Sequence, residues 1–465
     1  MNEAKQTDVV VVGAGISGLS LAHYLRRRGL EVDLLECDER AGGKIHSHRH
    51  GHFLMESGPN SLLETSPLLG ELIAELGISQ EQIYTRRLAK NRYVARDGAL
   101  HPLPLNPVAL IRSNLFSSRA KLRLLREPFV RPQAVAGQES LAAFVERRLG
   151  REFLDYAVDP FVAGICAGTP ETLGVESAFP KLFGLEREYG SLIKGALLGA
   201  RKRRKRAGTS KQKAQMFAFR QGMGTLVDTL AGDVSTSLRL GVKLREIEAA
   251  EDGYAVAVED ASASWRIRTR SLAFAIPAHA YADLSFRFDF PVGATLSRIT
   301  YPPVNVVFFG YQHPPGGRAL DGFGFLIPRR ENRKILGTIW NSSLFPGRAP
   351  EQGVALTTFV GGARQPQVAM LGDGELVDLV RAELQELLGI AGRPQEVQVI
   401  RWPHAIPQYG LEHNDITAEL EAFEERHPGI YITGNFRNGI SAPDCIEQSH
   451  RLSVQIAEFL APDTA

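Results

Sequence analysis

Gly13, Gly15 and Gly18 stand at G-x-G-x-x-G spacing behind four consecutive valines, Val9 to Val12, and Glu36 closes the next apolar run. An unbroken β-branched run reads as a strand buried on both faces of a parallel sheet. Gly13 permits the tight turn, Gly15 lets backbone approach a pyrophosphate, and Gly18 lets helix and strand pack closely, with Ala14, Ile16 and Ser17 completing the loop. Leu19, Leu21, Ala22 and Leu25 recur at helical spacing. Arg26, Arg27 and Arg28 suit the negative end of that helix, and Gly29 its stop. The helix start offers free N–H groups to phosphates, and Glu36 offers a carboxylate to ribose hydroxyls. The chemistry implied is dinucleotide binding.

Other chemistry-bearing residues are sparser. His46, His48, His50 and His52 alternate and would share one face of a strand. No cysteine or acid completes a ligand set there, so an exposed hairpin with His50-Gly51-His52 at its tip is favoured over a metal site, and none is expected elsewhere. Cys37, Cys166 and Cys445 form no C-x-x-C pair, which argues against a disulfide framework or zinc ribbon and for a reducing, cytoplasmic setting. With 465 residues, 44% apolar, 23% charged and a net charge of +2, the chain should hold two or three domains and is no nucleic-acid-binding polycation. Met1 to Asp8 carries no secretory pattern, and no run of ~18 apolar residues would span a membrane.

Asp38 to Lys44, with Arg40, Gly42 and Gly43, resembles the second nucleotide motif of FAD proteins in the amine-oxidase-like superfamily. The glycines let chain pass close to a cofactor, and Arg40 or Lys44 can offset phosphate charge. In that superfamily the stretch Phe53 to Asn60 lies near the flavin, which draws in Gly58, Pro59, Asn60 and Ser61. Two later segments look like returns to the same cofactor. Residues 217–282 hold a Gly-rich turn at Phe219 to Leu226, a strand start at Gly241 to Leu244, a hairpin of Tyr254–Val258 with Trp265–Arg268, and a buried strand at Leu272 to Ile276. The residue matching Val242 meets adenine through its backbone in related flavoproteins. Near the C-terminus, Gly429 to Asn435 reads as a strand, Phe436 to Asp444 as a loop, and Cys445 to Leu460 as an amphipathic helix whose start would stabilise negative charge on a reduced flavin ring. Trp402, Gly434, Asn435, Ile440, Ser441 and Ala442 join the cofactor candidates.

Over nearly its whole length the chain resembles the protoporphyrinogen oxidase family. The resemblance is carried by the glycine loop, Glu-Ser-Gly-Pro-Asn-Ser at 56–61, Asn-Arg-Tyr-Val at 91–94, Gly-Ile-Cys-Ala-Gly-Thr-Pro at 164–170 and Gly-Phe-Gly-Phe-Leu-Ile-Pro at 322–328. It continues through Leu-Gly-Thr-Ile at 336–339, Thr-Thr-Phe-Val-Gly-Gly-Ala-Arg at 357–364, Ile-Pro-Gln-Tyr at 406–409 and the run from Gly434 to Ile446. The order and spacing together are the specific feature. The resemblance implies FAD, and six-electron oxidation of protoporphyrinogen IX to protoporphyrin IX in three rounds, with O2 as acceptor giving H2O2. It implies that Arg92 pairs with a propionate, that Leu326, Ile339 and Phe359 sandwich the macrocycle, and that Gly164 and Ala167 lie on a turn beside a pyrrole. An arginine suits that task because its guanidinium binds a carboxylate bidentately. The pattern departs from the family at Asn435, Phe436 and Arg437, and at the basic run Arg201 to Arg206.

The expected architecture is α/β, multidomain. A discontinuous Rossmann-type FAD-binding domain (1–88, 217–282, 401–465) would carry an inserted mixed-sheet substrate domain (89–107, 283–400) and a mainly helical domain (108–216). Family members rest on a membrane through the last region; a solvated basic loop is the alternative. Homodimerisation and product hand-off to a ferrochelatase are further partnerships the resemblance raises. A coproporphyrinogen III oxidase is the nearest rival activity. An amine oxidase would want a second aromatic near Phe436, and a non-enzymatic flavin or porphyrin binder would leave the apolar sandwich beside Arg92 without a purpose.

Overall fold

The computed structural model describes residues 5–86, 90–132, 138–198, 215–314 and 316–461. Its largest sheet has eight strands. Five of them are parallel, in the order Leu238–Arg239, Val32–Leu35, Lys5–Val12, Ser264–Phe274 and Ile430–Ile432. Val9, Val10, Val11, Leu34 and Phe274 have no exposed surface, as a doubly covered sheet requires. The hairpin Lys243–Ala250 with Gly253–Glu259 and the short Ser285–Phe286 extend the other edge.

Ser264–Phe274 is one continuous strand, where the sequence suggested a hairpin strand at Trp265–Arg268 and a separate strand from Leu272. It serves two partners in turn. Its first half pairs antiparallel with Tyr254–Glu259 and alternates exposed with buried residues; its last three residues pair parallel with Ile430–Ile432 and are buried throughout. The change from half-buried to fully buried surroundings is what made one strand read as two.

Helix Ile16–Arg27 covers one face of this sheet together with the C-terminal helix Ala442–Leu460. Ser449 donates its hydroxyl to the Ser17 carbonyl at 2.8 Å, and Tyr24 meets His450 edge-on. Leu19, Leu21, Leu25, Ile446 and Ile456 share the core beneath.

The second sheet is mixed, with seven strands in the order Glu396–Trp402, Val304–Tyr311, Val354–Gly361, Ile335–Ile339, Gly324–Leu326, Tyr93–Arg96 and Ala99–Pro102. Only Gly324–Leu326 with Tyr93–Arg96 is parallel. The expected boundary at residue 401 falls inside strand Glu396–Trp402, which belongs to this sheet throughout. Helix Asp373–Leu388 buries Leu376, Val380 and Leu384 against Phe325, Ile327, Leu356 and Val360. The opposite face meets Phe53 and Met55 at Phe308, and Ala163 and Ala167 at Val304 and Leu336.

Between Pro107 and Tyr189 the described residues are mainly helical, including a π-helical stretch at Leu154–Val158 that runs into helix Asp159–Cys166. A buried ionic knot ties this region together: Arg148, with no exposed surface, reaches Glu186 and the equally buried Glu127, which also accepts from Ser191 and the Leu192 N–H. The basic run 201–206 lies outside the described residues.

Candidate active site

The five parallel strands stop level with one another. Leu35, Val12, Phe274 and Ile432 stand in register, and Arg239 pairs with Leu35. The residues that follow therefore gather along one sheet edge: Gly13, Glu36, Val242, Ile276 and Gly434. That edge is where an open α/β sheet places its ligand. Val242 donates its N–H to the Glu36 carbonyl at 2.8 Å, so these two cofactor candidates meet.

The glycine loop fits a dinucleotide. A Cβ on Gly18 would lie 1.8 Å from the Gly13 carbonyl oxygen, so helix and loop touch backbone to backbone. A Cβ on Gly15 would meet nothing within 4 Å, which leaves open room at the start of helix Ile16–Arg27 where a pyrophosphate would lie. Glu36 accepts the Ala14 N–H at 2.6 Å and the Asp38 N–H at 3.0 Å. Its buried carboxylate thus shapes the loop as well as facing the ribose position. Gly42 donates to the Ala14 carbonyl at 2.7 Å, and Gly43 packs on Gly15, so the second motif folds over the first.

Arg40 and Lys44 have different duties. Arg40 donates to the carbonyls of Ala41 and Gly43 at 2.7 and 2.6 Å; its guanidinium braces this loop rather than being held open for phosphate. The Lys44 ammonium sits 5.8 Å from the Tyr301 ring and 5.9 Å from the Trp402 ring, with no carboxylate partner among the described residues. Burial pulls its pKa down to about 8. An unpaired, partly desolvated cation suits an anionic ligand such as the cofactor phosphates. Beside it, His279 stacks on His404, and burial, then His404 and Lys44, pushes His279 down to about 4, so it stays neutral at physiological pH.

Trp402 donates its indole N–H to the Ser57 carbonyl at 2.7 Å, and Gly58 lies so close to the Lys44 carbonyl that a Cβ there would stand 2.3 Å away. This fixes the Gly58-Pro59-Asn60-Ser61 turn. Asn60 is buried and accepts from Asn341 at 2.5 Å. Behind the turn, Glu56 accepts from Ser47 and from the Met223 N–H, and burial raises its pKa to about 7. The C-terminal loop runs from Gly434, at φ +140°, through Asn435 and Ile440 to Ser441, which caps helix Ala442–Leu460 in a capping box with Asp444. Arg437 is occupied by the Glu424 carboxylate and the Ile432 carbonyl.

The substrate candidates come together on the face of the seven-stranded sheet turned away from helix Asp373–Leu388. Leu326 stands opposite Gly337, and Gly337 opposite Phe359, while Ile339 follows Gly337 by two residues. Cross-strand partners and i,i+2 neighbours share a face. Leu326, Ile339 and Phe359 therefore share one sheet face around Gly337. Gly164 meets this face: a Cβ there would lie 2.3 Å from a Leu326 methyl. Ala167 ends helix Asp159–Cys166 in the left-handed conformation, φ 53°, and clusters with Phe359 and Trp402. Trp402 thus belongs to both ends of the site. Arg92 is exposed, lies 5.3 Å from the Phe323 ring and pairs with no carboxylate among the described residues. Phe323 precedes Gly324, which stands opposite Ile339, so this cation lies at the Ile339 end of the apolar face.

Two participants escaped the sequence reading as individual residues, although the motif Ile-Pro-Gln-Tyr contained them. Tyr409 donates to the Asn435 carbonyl at 3.0 Å and accepts the Gly439 N–H at 2.8 Å. Gln408 donates to the Cys166 carbonyl at 2.8 Å. The alternating histidines form the expected hairpin: His48 bonds Ser57 at 2.8 Å and His50 bonds Glu396. They share no third metal-ligating neighbour among the described residues.

The chain agrees with known proteins over this same extent. The flavin containing amine oxidoreductase family matches residues 16–457. A mitochondrial protoporphyrinogen oxidase of Nicotiana tabacum is 34% identical over 97% of this chain and 95% of its own length. A coproporphyrinogen III oxidase of Bacillus subtilis is 28% identical over 96% and 97%. The fold is shared with cyclohexylamine oxidase from Brevibacterium oxydans, with a TM-score of 0.71 at 17% identity over 98% and 99% of the two chains. A dinucleotide edge assembled from five strand ends, under a family match that spans almost every residue of it, places the chain in the flavin-containing amine oxidoreductase family as an FAD-dependent oxidoreductase.

Proposed function

We propose that the protein oxidises protoporphyrinogen IX to protoporphyrin IX. The observation that carries this reading is the apolar sheet face of Leu326, Ile339 and Phe359 around Gly337, which we read as a trough with Arg92, unpaired among the described residues, at its end. A flat macrocycle with carboxylate tails fits an apolar trough with one cation at its end; a small amine would need neither. FAD, when bound, supplies the two-electron acceptor and passes the electrons to dioxygen. The chain's residues do the rest. Arg92 pairs with a propionate, and the apolar rim excludes water and orients the methylene bridges. Gly164 and Gly337 carry no side chain that would crowd Leu326. Each round removes a hydride and a proton from the substrate and turns one O2 into H2O2, so three rounds account for the six electrons. The test is aerobic addition of protoporphyrinogen IX to the yellow protein. Porphyrin fluorescence rising faster than in an enzyme-free control supports the reading; a control-level rise overturns it.

A second reading is coproporphyrinogen III oxidation, favoured by the likeness to the Bacillus subtilis enzyme over nearly the full chain. Side-by-side kcat/KM for the two porphyrinogens separates them.

We also propose peripheral membrane contact. No described helix is long and apolar enough to cross a membrane. Helices Pro107–Arg112 and Ser118–Leu125 and the turn after them leave Ile111, Leu122, Leu125 and Phe129 largely exposed, the last by 85%, among exposed Arg112, Arg119 and Arg126. Apolar side chains within a basic rim suit an anionic lipid surface. On the resemblance alone the proposal extends to a homodimer and to product transfer to a ferrochelatase, which sizing chromatography with and without that enzyme tests.

A further inference from the structure

We infer that Gln408 and Tyr409 are positioning residues that yoke the substrate-side turn at Gly164–Ala167 to the cofactor-side loop at Asn435–Gly439, so that a ligand in the trough tightens the hold on FAD. The inference rests on the reading of the trough given above. The two residues are adjacent, and each engages a different end of the site.

Tyr409 spans the cofactor loop. Its hydroxyl donates to Asn435 and accepts from Gly439, bridging a stretch in which Asn438 (φ 62°) and Gly439 (φ 136°) both lie in left-handed backbone conformations. Such a loop has little regular hydrogen bonding of its own, so one hydroxyl that ties its two ends sets its shape. The ring is fixed in turn: it stacks on His413 at 3.9 Å and 12°, and both residues are buried.

Gln408 holds the substrate turn. Its side-chain N–H donates to the carbonyls of Cys166 and Ile406 at 2.8 and 3.0 Å, and two carbonyl acceptors leave the amide one orientation. Its own N–H donates to the Thr300 carbonyl at 2.9 Å. A Cβ on Gly168 would lie 2.1 Å from its side-chain oxygen, so turn and glutamine are in close contact. Cys166 precedes Ala167, whose left-handed φ is strained for a residue with a side chain and whose carbonyl takes the Ala363 N–H at 2.7 Å. Ala405 and Ile406 pack with Ala163, Ala167 and Phe359. A ligand pressing on Phe359 and the turn therefore bears on the same short segment that shapes the cofactor loop. Coupling of this kind is reciprocal.

The experiment follows FAD release from the holoenzyme, read as recovered flavin fluorescence on dilution, with and without saturating protoporphyrin IX. In the wild type, porphyrin should slow release at least about 5-fold. Tyr409→Phe keeps the stacked ring and loses both hydrogen bonds; Gln408→Met keeps the length and loses the donor without adding a charge. Each should cut the slowing to below about 2-fold. The readout is the ratio of release rates with and without porphyrin within each variant, which general loosening, speeding both rates alike, leaves unchanged. If Tyr409→Phe fails to load FAD, Gln408→Met, at a side chain that makes no hydrogen bond to the cofactor loop, decides alone. Undiminished slowing in the variants, or porphyrin that binds the wild type without slowing release, overturns the yoke alone. Porphyrin that does not bind the wild-type holoenzyme overturns the proposed function and the yoke with it.

Discussion

The two ends of the site are built from different material. The cofactor end is made of backbone: strand ends in register, and glycines at 13, 18, 58 and 434 where added atoms would strike main chain or force a left-handed residue off its conformation. The proposed substrate end is made of side chains: three apolar residues on one sheet face and an arginine with no carboxylate partner among the described residues. A dinucleotide can be held by N–H groups that all residue types carry. A substrate has to be distinguished, and only side chains distinguish. Backbone changes at the first end should therefore abolish the holoenzyme, and side-chain changes at the second should alter affinity and leave the flavin in place.

The largest effect is expected at Gly18. Gly18→Ala puts a methyl 1.8 Å from the Gly13 oxygen, and neither backbone can yield without parting helix from strand. The variant should purify without the flavin absorption near 450 nm. A yellow, fully loaded variant would break the contrast at its root.

Glu56 tests whether the cofactor end depends on any side chain. It joins hairpin Ser47–Glu56 to the turn at Met223. Burial is the first cause of its raised pKa, against the downward pull of Ser47, the Met223 N–H and Arg348. From the ordinary 4.5 of a glutamate it rises to about 7. The folded protein therefore holds a proton that the unfolded chain gives up. That stability is complete below about pH 4.5 and is lost as pH rises through about 7, a change of about 3 kcal/mol. Glu56→Gln mimics the protonated form and should flatten this part of the profile. Urea unfolding of both proteins at pH 5 and pH 8 reads it; parallel profiles would mean that Glu56 ionises as it does in water.

The same division explains what was legible in the sequence. Gly13 to Gly18, Val9 to Val12 and Glu36 announce themselves because their cause is local: a strand, a turn and a helix within one short stretch. The trough was readable only through resemblance, since nothing near Leu326 in the chain says that Gly337 and Phe359 flank it. Gln408 and Tyr409 sat inside a quoted motif, yet their partners Cys166 and Asn435 come from remote segments, and no spacing rule connects them. Arg40 shows the converse. Its place beside Gly42 and Gly43 suggested a phosphate contact, but it braces the carbonyls of Ala41 and Gly43 in its own loop, and a guanidinium with carbonyls in reach is satisfied locally.

Arg92 sharpens the comparison at the substrate end. A charge-assisted pair is worth about 1.5–3 kcal/mol, so Arg92→Ala should raise KM for protoporphyrinogen about 10- to 100-fold while flavin content stays at the wild-type level. Arg92→Lys should fall between, because an ammonium keeps the charge and loses the two-pronged geometry. A variant that loses flavin instead would place Arg92 among the supports of the cofactor end.

The smallest effect on catalysis, and the cleanest control, lies outside both ends. Phe129 is 85% exposed, yet two residues before it Glu127 is fully buried and locked to Arg148, Ser191 and the Leu192 N–H. An apolar side chain is thus held out on a rigid base, which costs exposed surface unless something covers it. Burying a phenylalanine is worth about 1.5–3 kcal/mol. Phe129→Glu should then weaken co-sedimentation with phosphatidylserine vesicles about 10-fold or more, with kcat, KM and flavin content in detergent unchanged. Unaltered sedimentation would remove the lipid surface from the proposal. Altered KM would show that the helical region shapes the trough as well as carrying it, and the side-chain end of the comparison would have to be drawn wider.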